Sequence, residues 1–256
     1  MIIWIASYPK SGNTWVRSFL TSLLYSNDGI NDFSKLNQIT QFPNKYQFKN
    51  LTDDLQNIKE IYQNWQNAQD FINLDNKIKL FKTHHVNCTI KGFQFTNNKN
   101  SLGAIYIVRD PRTVLISLRN HFNLENFLKA KEFILNEKKW VGIKNDKSDI
   151  DTLNKVPTLI SSWRINYLSW KNKIQNYMLI KYEDLGTVKS IITSAFLKAI
   201  SVLSSGFIPI NFLSKILLSV SVTTLKLLLD FTDLISCWPI LPMHPVIANL
   251  IFFIYL

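Results

Sequence analysis

The chain opens on a short unbroken apolar run, with Ile2, Ile3, Trp4 and Ile5 inside residues 2–7, which predicts a strand buried on both faces. Turn formers follow at once in Tyr8-Pro9-Lys10-Ser11-Gly12-Asn13. From Thr14 the apolar positions Trp15, Val16, Phe19, Leu20, Leu23 and Leu24 recur at helical spacing. The first stretch therefore reads strand, loop, helix. Residues 28–75 are polar and rich in Asn and Gln, with helical patches over 51–74, and residues 77–82 alternate as a strand ending at Thr83-His84-His85. Residues 102–108 read as another buried strand. Asp110 is placed to cap the next helix, with Pro111 at its favoured first position and Val114, Leu115 and Leu118 on one face. Residues 122–157 read as charged and irregular, 158–170 as an amphipathic helix and 177–182 as a further strand. Strands alternating with helices predict an α/β fold, three layers deep, with a central parallel β-sheet flanked by helices.

Composition narrows the classes. With 46% hydrophobic and 13% aromatic residues in 256, the chain can bury a core and is not disordered. Two cysteines, Cys88 and Cys237, exclude a disulfide scaffold and a cysteine-only metal cluster, and fit a reducing, cytoplasmic setting. The apolar start is too short for a secretory signal and lacks its basic flank. A net charge of +11 asks for an anionic partner, but no run of five Lys or Arg appears, which weighs against nucleic acid.

After Leu185 the composition changes. Residues 186–256 carry only Lys189, Lys198, Lys215, Lys226, Asp230 and Asp233 as charges, and the end from Leu234 has none. That end is long enough to cross a bilayer, yet Pro239, Pro242 and Pro245 break its first half. The expected division is a domain over 1–185 and an atypical apolar segment over 186–256, with membrane association as the alternative location.

In parallel sheets, ligands bind beyond the carboxyl ends of the strands, and the conspicuous polar clusters fall there: residues 8–14, 82–85, 109–117 and 182–184. A loop turning into a helix leaves backbone N–H groups unpaired and directed at an anion. Lys10 adds a charge there, and Ser11 and Thr14 add hydroxyls. The order is not that of a nucleoside-triphosphate loop, because Lys10 precedes Gly12 instead of following a second glycine. In an extended segment Lys82 and His84 share one face and His85 points to the other, so only one of the two histidines can face the site where Lys82 does.

The segment from Tyr8 to Trp15, Tyr-Pro-Lys-Ser-Gly-Asn-Thr-Trp, resembles the 5′-phosphosulfate loop of cytosolic-type sulfotransferases. Ile107-Val-Arg-Asp-Pro-Arg-Thr-Val-Leu-Ile-Ser117 resembles that family's 3′-phosphate motif, Lys82-Thr-His84 its catalytic-histidine segment, and Tyr182-Glu-Asp-Leu185 the strand end near the adenine. The likeness covers roughly residues 1–185. It implies a P-loop-like fold and a metal-free transfer of a sulfuryl group from 3′-phosphoadenosine-5′-phosphosulfate to a hydroxyl or amine of a small-molecule acceptor. His84 would be the base and Lys10 the cation on the leaving side. Ser11, Gly12, Asn13 and Thr14 would hold the 5′-phosphate, Arg109 and Ser117 the 3′-phosphate, and Trp15 and Tyr182 the adenine.

The family's C-terminal Arg-Lys-Gly clamp has no counterpart, since no Arg follows Leu185 and only Gly186 and Gly206 remain. The expectation is a reading frame altered near residue 186, which the coding sequence around that codon would reveal. The alternative function is an inactive or membrane-associated relic that retains nucleotide binding.

Overall fold

β1 (Ile2–Ser7) is buried at every position because it is an inner strand of the sheet. A computed structural model of the chain describes residues 1–25, 33–143 and 156–186. These residues lie in a compact unit spanning Met1–Ser219, and a second unit, Val220–Leu256, lies outside the described residues, as does almost all of the atypical segment.

β1 pairs in parallel with β2 (Lys79–Thr83) on one side and β5 (Ser101–Val108) on the other, and β5 pairs in parallel with β8 (Tyr177–Lys181). The order β2-β1-β5-β8 is the predicted parallel sheet. Helices cover both faces, and the period-2 alternation of β1 shows how. Ile2, Trp4 and Ala6 turn to a core that holds Trp65 of α4 (Trp65–Asn73) and Trp170 of α7 (Trp163–Trp170). Ile5 turns to the opposite core, formed with Val16 and Leu20 of α1 (Asn13–Tyr25) and with Ile107 and Leu185. Aromatic packing dominates the first core: Trp4 meets Phe42 at 5.4 Å, Phe95 at 5.5 Å and Trp170 at 6.1 Å between ring centroids.

The polar stretch before β2 contains a 3-10 turn (Phe33–Gln38) and two short helices, α2 (Lys45–Phe48) and α3 (Ile58–Gln63), ahead of α4. A small antiparallel pair, β3 (Thr89–Ile90) and β4 (Phe93–Gln94), separates β2 from β5. α5 (Pro111–His121) starts as its sequence predicts, with Asp110 accepting from the Arg112 N–H at 2.8 Å and Pro111 in the first turn.

Two expectations are corrected. Residues 122–157 are not wholly irregular: they hold α6 (Phe127–Leu135), capped by Asn126 and buried through Ala130, Phe133 and Ile134. They also hold β6 (Trp140–Val141), which pairs antiparallel with β7 (Thr158–Leu159). The helix expected from residue 158 begins only at Trp163, because Thr158 is taken into that pair, Ser161 adopts φ 57° and Ser162 caps the Ile165 N–H. Among the described residues no helix is long and apolar enough to cross a membrane.

Candidate functional site

The chain runs from β1 outward to β2, then back past β1 to β5, so the strand order reverses between the neighbours β1 and β5. Loops leaving the carboxyl ends of two such strands must emerge side by side, which is where open parallel sheets take ligands. The loop after β1 carries Lys10 and the loop after β5 carries Arg109. They touch: Arg109 Nη1 donates to the Lys10 carbonyl at 3.0 Å.

Tyr182, at the end of β8, locks this junction from below. The Arg109 guanidinium lies 4.0 Å from its ring centroid, and Gly12 presses on the other side of the junction so closely that a Cβ at that position would stand 2.2 Å from Tyr182 Cδ2. Gly12 (φ 96°) and Lys10 (φ 66°) both take left-handed conformations, which turns the loop sharply into α1. Ser11 is fully buried with no partner for its hydroxyl, and the buried Nε of Arg109 also has none. Two neighbouring turns that bring Lys10 and Arg109 together at a helix start suit an anion with two separated charges.

A cleft of about 1040 Å³ opens here and is lined by Lys10, Gly12, Asn13, Thr14, Trp15, Lys82, His84, Arg109, Ser117 and Tyr182, among others. Residues from all four polar clusters of the sequence thus share one cavity, whereas Ser11 is buried behind it and is not among the lining residues. No Asp or Glu is among its described lining residues. Asp110 is turned away into a bidentate pair with Arg112 Nε, at 3.0 Å to each oxygen, which holds its carboxyl down at about 2. Glu183 accepts from the Asp110 N–H at 2.8 Å. Arg109 is therefore in no ion pair among the described residues.

His84 is half-buried on the cleft side of β2. Its Nδ1 lies 2.7 Å from the Ser7 carbonyl, which can only accept, so Nδ1 carries the proton and Nε2 is left as an acceptor. Burial, then the charge of Lys82, pushes His84 well below the ordinary histidine range, with the bond to Ser7 working the other way. Asn13 joins this arrangement from the helix start: its Nδ2 donates to the Ile5 carbonyl at 2.9 Å and to Ser7 Oγ at 3.1 Å. Its side chain is thus committed to β1, and what it offers a ligand is its backbone. Asn166, fully buried on α7, holds the His84 carbonyl at 2.9 Å and accepts from the Tyr106 hydroxyl at 2.8 Å.

Trp15 is 38% exposed and stacked on Phe19, one turn further along α1, with both rings on the cleft. Ser117 lines it from α5. Lys82, a basic residue outside the expected set, joins them, and the charge of Arg17 bears on it from α1. Lys82 Nζ reaches Gln41 Oε1 at 3.2 Å, and burial followed by the charges of Arg17 and Lys10 lowers it to about 8. Arg17 Nη2 donates to the carbonyls of Leu36 and Ile39, both at 2.7 Å, and pins the 3-10 turn against α1. The sequence signal for Lys82 was its shared strand face with His84; Arg17 gave none beyond its place on α1.

His85 takes the other face and is fully buried. It stacks on Phe95 at 4.3 Å, meets Trp65 at 4.6 Å and donates from Nδ1 to the Val86 carbonyl at 2.6 Å. Burial lowers it to about 3. A histidine held below its unfolded value binds fewer protons when folded, so stability falls as pH drops below the unfolded ~6.5. Between pH 7 and 5 the unfolding free energy obtained from urea titration should fall by roughly 2 kcal/mol from this residue alone, and His85→Phe should flatten that slope.

Among the described residues no group of three or more His, Cys, Asp or Glu is placed to hold a metal ion. A family model described as "Sulfotransferase domain" matches residues 2–188. Similar solved structures include retinol dehydratase in complex with androsterone and inactive cofactor PAP, at 15% identity and a TM-score of 0.43, covering 85% of this chain and 63% of that one. A mouse sulfotransferase complexed with PAP is 22% identical, with a TM-score of 0.42, covering 88% of this chain and 65% of the other. The chain thus spans less than two thirds of either. No curated relative matches it.

Proposed function

Because the chain belongs to the sulfotransferase domain family, we propose that it transfers a sulfuryl group from 3′-phosphoadenosine-5′-phosphosulfate to a hydroxyl or amine of a small acceptor. The observation that carries this reading is the Arg109–Lys10 contact, which joins two phosphate-type turns at a cleft with no Asp or Glu among its described lining residues. The backbone of Gly12, Asn13 and Thr14 and the hydroxyl of Thr14 would receive the 5′-phosphate, with the buried Ser11 holding the turn behind them, Arg109 and Ser117 the 3′-phosphate, and Trp15 the adenine. Tyr182 supports Arg109 from below, beside the nucleotide. The acceptor oxygen attacks sulfur, its proton passes to His84 Nε2, and the sulfur–oxygen bond to the 5′-phosphate breaks with its electron pair on the phosphate. Charge grows on that phosphate, so Lys10 and Lys82 stabilise the transition state more than the bound donor. We place the activity in the cytoplasm and in residues 1–185.

The test is calorimetry with 3′-phosphoadenosine 5′-phosphate (PAP). The intact chain should bind saturably, and Arg109→Ala should weaken it by roughly 100-fold, the loss of one or two charge-assisted hydrogen bonds. No saturable heat from folded protein would overturn the reading. Saturable binding without turnover of any acceptor favours the relic that keeps only the nucleotide site, a reading supported by the absence of Arg after Leu185.

A further inference from the structure

β2 ends its pairing with β1 at Thr83, opposite Ala6, so the backbone from His84 onward leaves the sheet ladder. Its polar groups must still find partners. Most of them are on one face of α7, where Asn166, Ser169 and Trp170 stand at positions i, i+3 and i+4 and each takes one group of the departing segment. Asn166 Nδ2 donates to the His84 carbonyl at 2.9 Å, Trp170 Nε1 donates to the His85 carbonyl at 2.9 Å, and Ser169 Oγ accepts from the Asn87 N–H at 3.0 Å. The Val86 N–H goes instead to the Leu159 carbonyl of β7 at 2.8 Å.

Asn166 is the member of this row that reaches His84, and it is fully buried. Its amide hydrogens meet two groups that can only accept, the carbonyls of His84 and, at 2.8 Å, Ile160, while its oxygen accepts from the Tyr106 hydroxyl at 2.8 Å. Neighbours of opposite kind thus fix the orientation of the amide. The His84 ring is held separately at the end of β1, where Nδ1 donates to the Ser7 carbonyl at 2.7 Å. One residue is gripped at two points, its ring by β1 and its carbonyl by α7.

We infer that Asn166 is a positioning residue: by anchoring the His84 carbonyl to α7 it sets the direction of the imidazole, keeps the ring proton on Nδ1 and leaves Nε2 for the cleft. The purpose of this grip rests on the proposed sulfuryl transfer, in which Nε2 takes the acceptor's proton; its geometry does not. Asn166 is not among the residues lining the cleft and acts only through His84.

The test reads the tautomer of His84 by long-range ¹H–¹⁵N NMR of the full chain, in which protonated and bare ring nitrogens have well-separated shifts. The chain has four histidines, and His84→Asn identifies the signal. Wild-type protein should show neutral His84 with its proton on Nδ1. Asn166→Ala should move His84 toward the Nε2–H form that a free imidazole prefers. So should the nearly isosteric Asn166→Asp, which keeps an acceptor for Tyr106 but loses the paired donors. In both, kcat for sulfuryl transfer should fall roughly 10- to 100-fold, with PAP affinity within about twofold of wild type. Ser169→Ala is the control: it removes the neighbouring bond to Asn87 and should lower the thermal midpoint without changing the His84 tautomer. An Nε2–H His84 in wild type, an unchanged tautomer in both Asn166 variants, or a shifted tautomer with unchanged kcat overturns the inference. So does an equal tautomer shift in Ser169→Ala, and so does failure of both Asn166 variants to fold, which would mark the residue as structural only. Wild-type protein that binds no PAP, or turns over no acceptor, counts against sulfuryl transfer instead, and the tautomers, read without nucleotide, then still decide the role of Asn166.

Discussion

Gly12→Ala is expected to remove PAP binding from the calorimetric range, an affinity loss of at least 100-fold, with a lowered thermal midpoint. A side chain there must first accept φ 96°, which costs about 1–2 kcal/mol for an L-residue. Its Cβ must also occupy space 2.2 Å from Tyr182 Cδ2 and 2.6 Å from Cε2. Tyr182 has little room to retreat, because the Arg109 guanidinium covers its ring and the following 3-10 turn (Tyr182–Gly186) is anchored by buried Leu185. Overpacking of this kind costs a further 1–3 kcal/mol, roughly. The loop relieves it by shifting, and that shift takes the Lys10 carbonyl away from Arg109, so both turns lose their register together. Gly92→Ala is the matched control: its φ is 89°, but nothing lies within 4 Å of the added Cβ, so strain acts without a clash and PAP binding should not change. A Gly12→Ala protein that binds PAP within about threefold of wild type would show that the junction does not govern the site.

His84→Asn should lower kcat/KM for sulfuryl transfer by roughly 10²–10⁴ while leaving PAP affinity nearly intact, since His84 is bonded to Ser7 and not to the phosphate turns. The pH profile carries the finer expectation. As the proposed base His84 would act in its neutral form, and burial with the Lys82 charge lowers the pH at which it gains a proton. The acid limb of kcat/KM therefore lies below the ~6.5 of an unperturbed imidazole. In the proposed transfer Lys82 would act as a cation, and burial lowers it to about 8, so activity should decline again as pH rises through that value. Lys82→Arg, which keeps its charge at every accessible pH, should remove the alkaline limb and spare the acid one. An acid limb at or above the ordinary histidine value, or a profile unmoved by His84→Asn, assigns the proton to another group.

The order of events along the chain was legible before any coordinates. β1 is an unbroken apolar run, and such runs form strands covered on both faces. The turn formers from Tyr8 to Asn13 end it, and Asp110-Pro111 starts α5, because these residues act through their own backbone dihedrals and nearest hydrogen bonds. The two-residue period of a strand likewise separates Lys82 and His84, which line the cleft, from His85, which enters the aromatic core. α6 and the β6–β7 pair were not legible. Their apolar signal spans only a few residues amid charge, and their partners, α5 and each other, lie too far along the chain for local periodicity to register.

What tertiary structure alone decided is every relation between distant residues. Sequence spacing put Lys10 and Arg109 at the ends of two strands; only the order β2-β1-β5-β8 makes those strands neighbours and sets the guanidinium on the Lys10 carbonyl. Gly12 looked like one more turn glycine until Tyr182 arrived against it, and only the fold commits the Asn13 amide to Ile5 and Ser7 and leaves its backbone for a ligand. Asn166 carried no local signal at all, and Arg17 none beyond its place on α1. Backbone preference is written residue by residue, whereas packing and long-range hydrogen bonds belong to pairs that meet only when the sheet assembles.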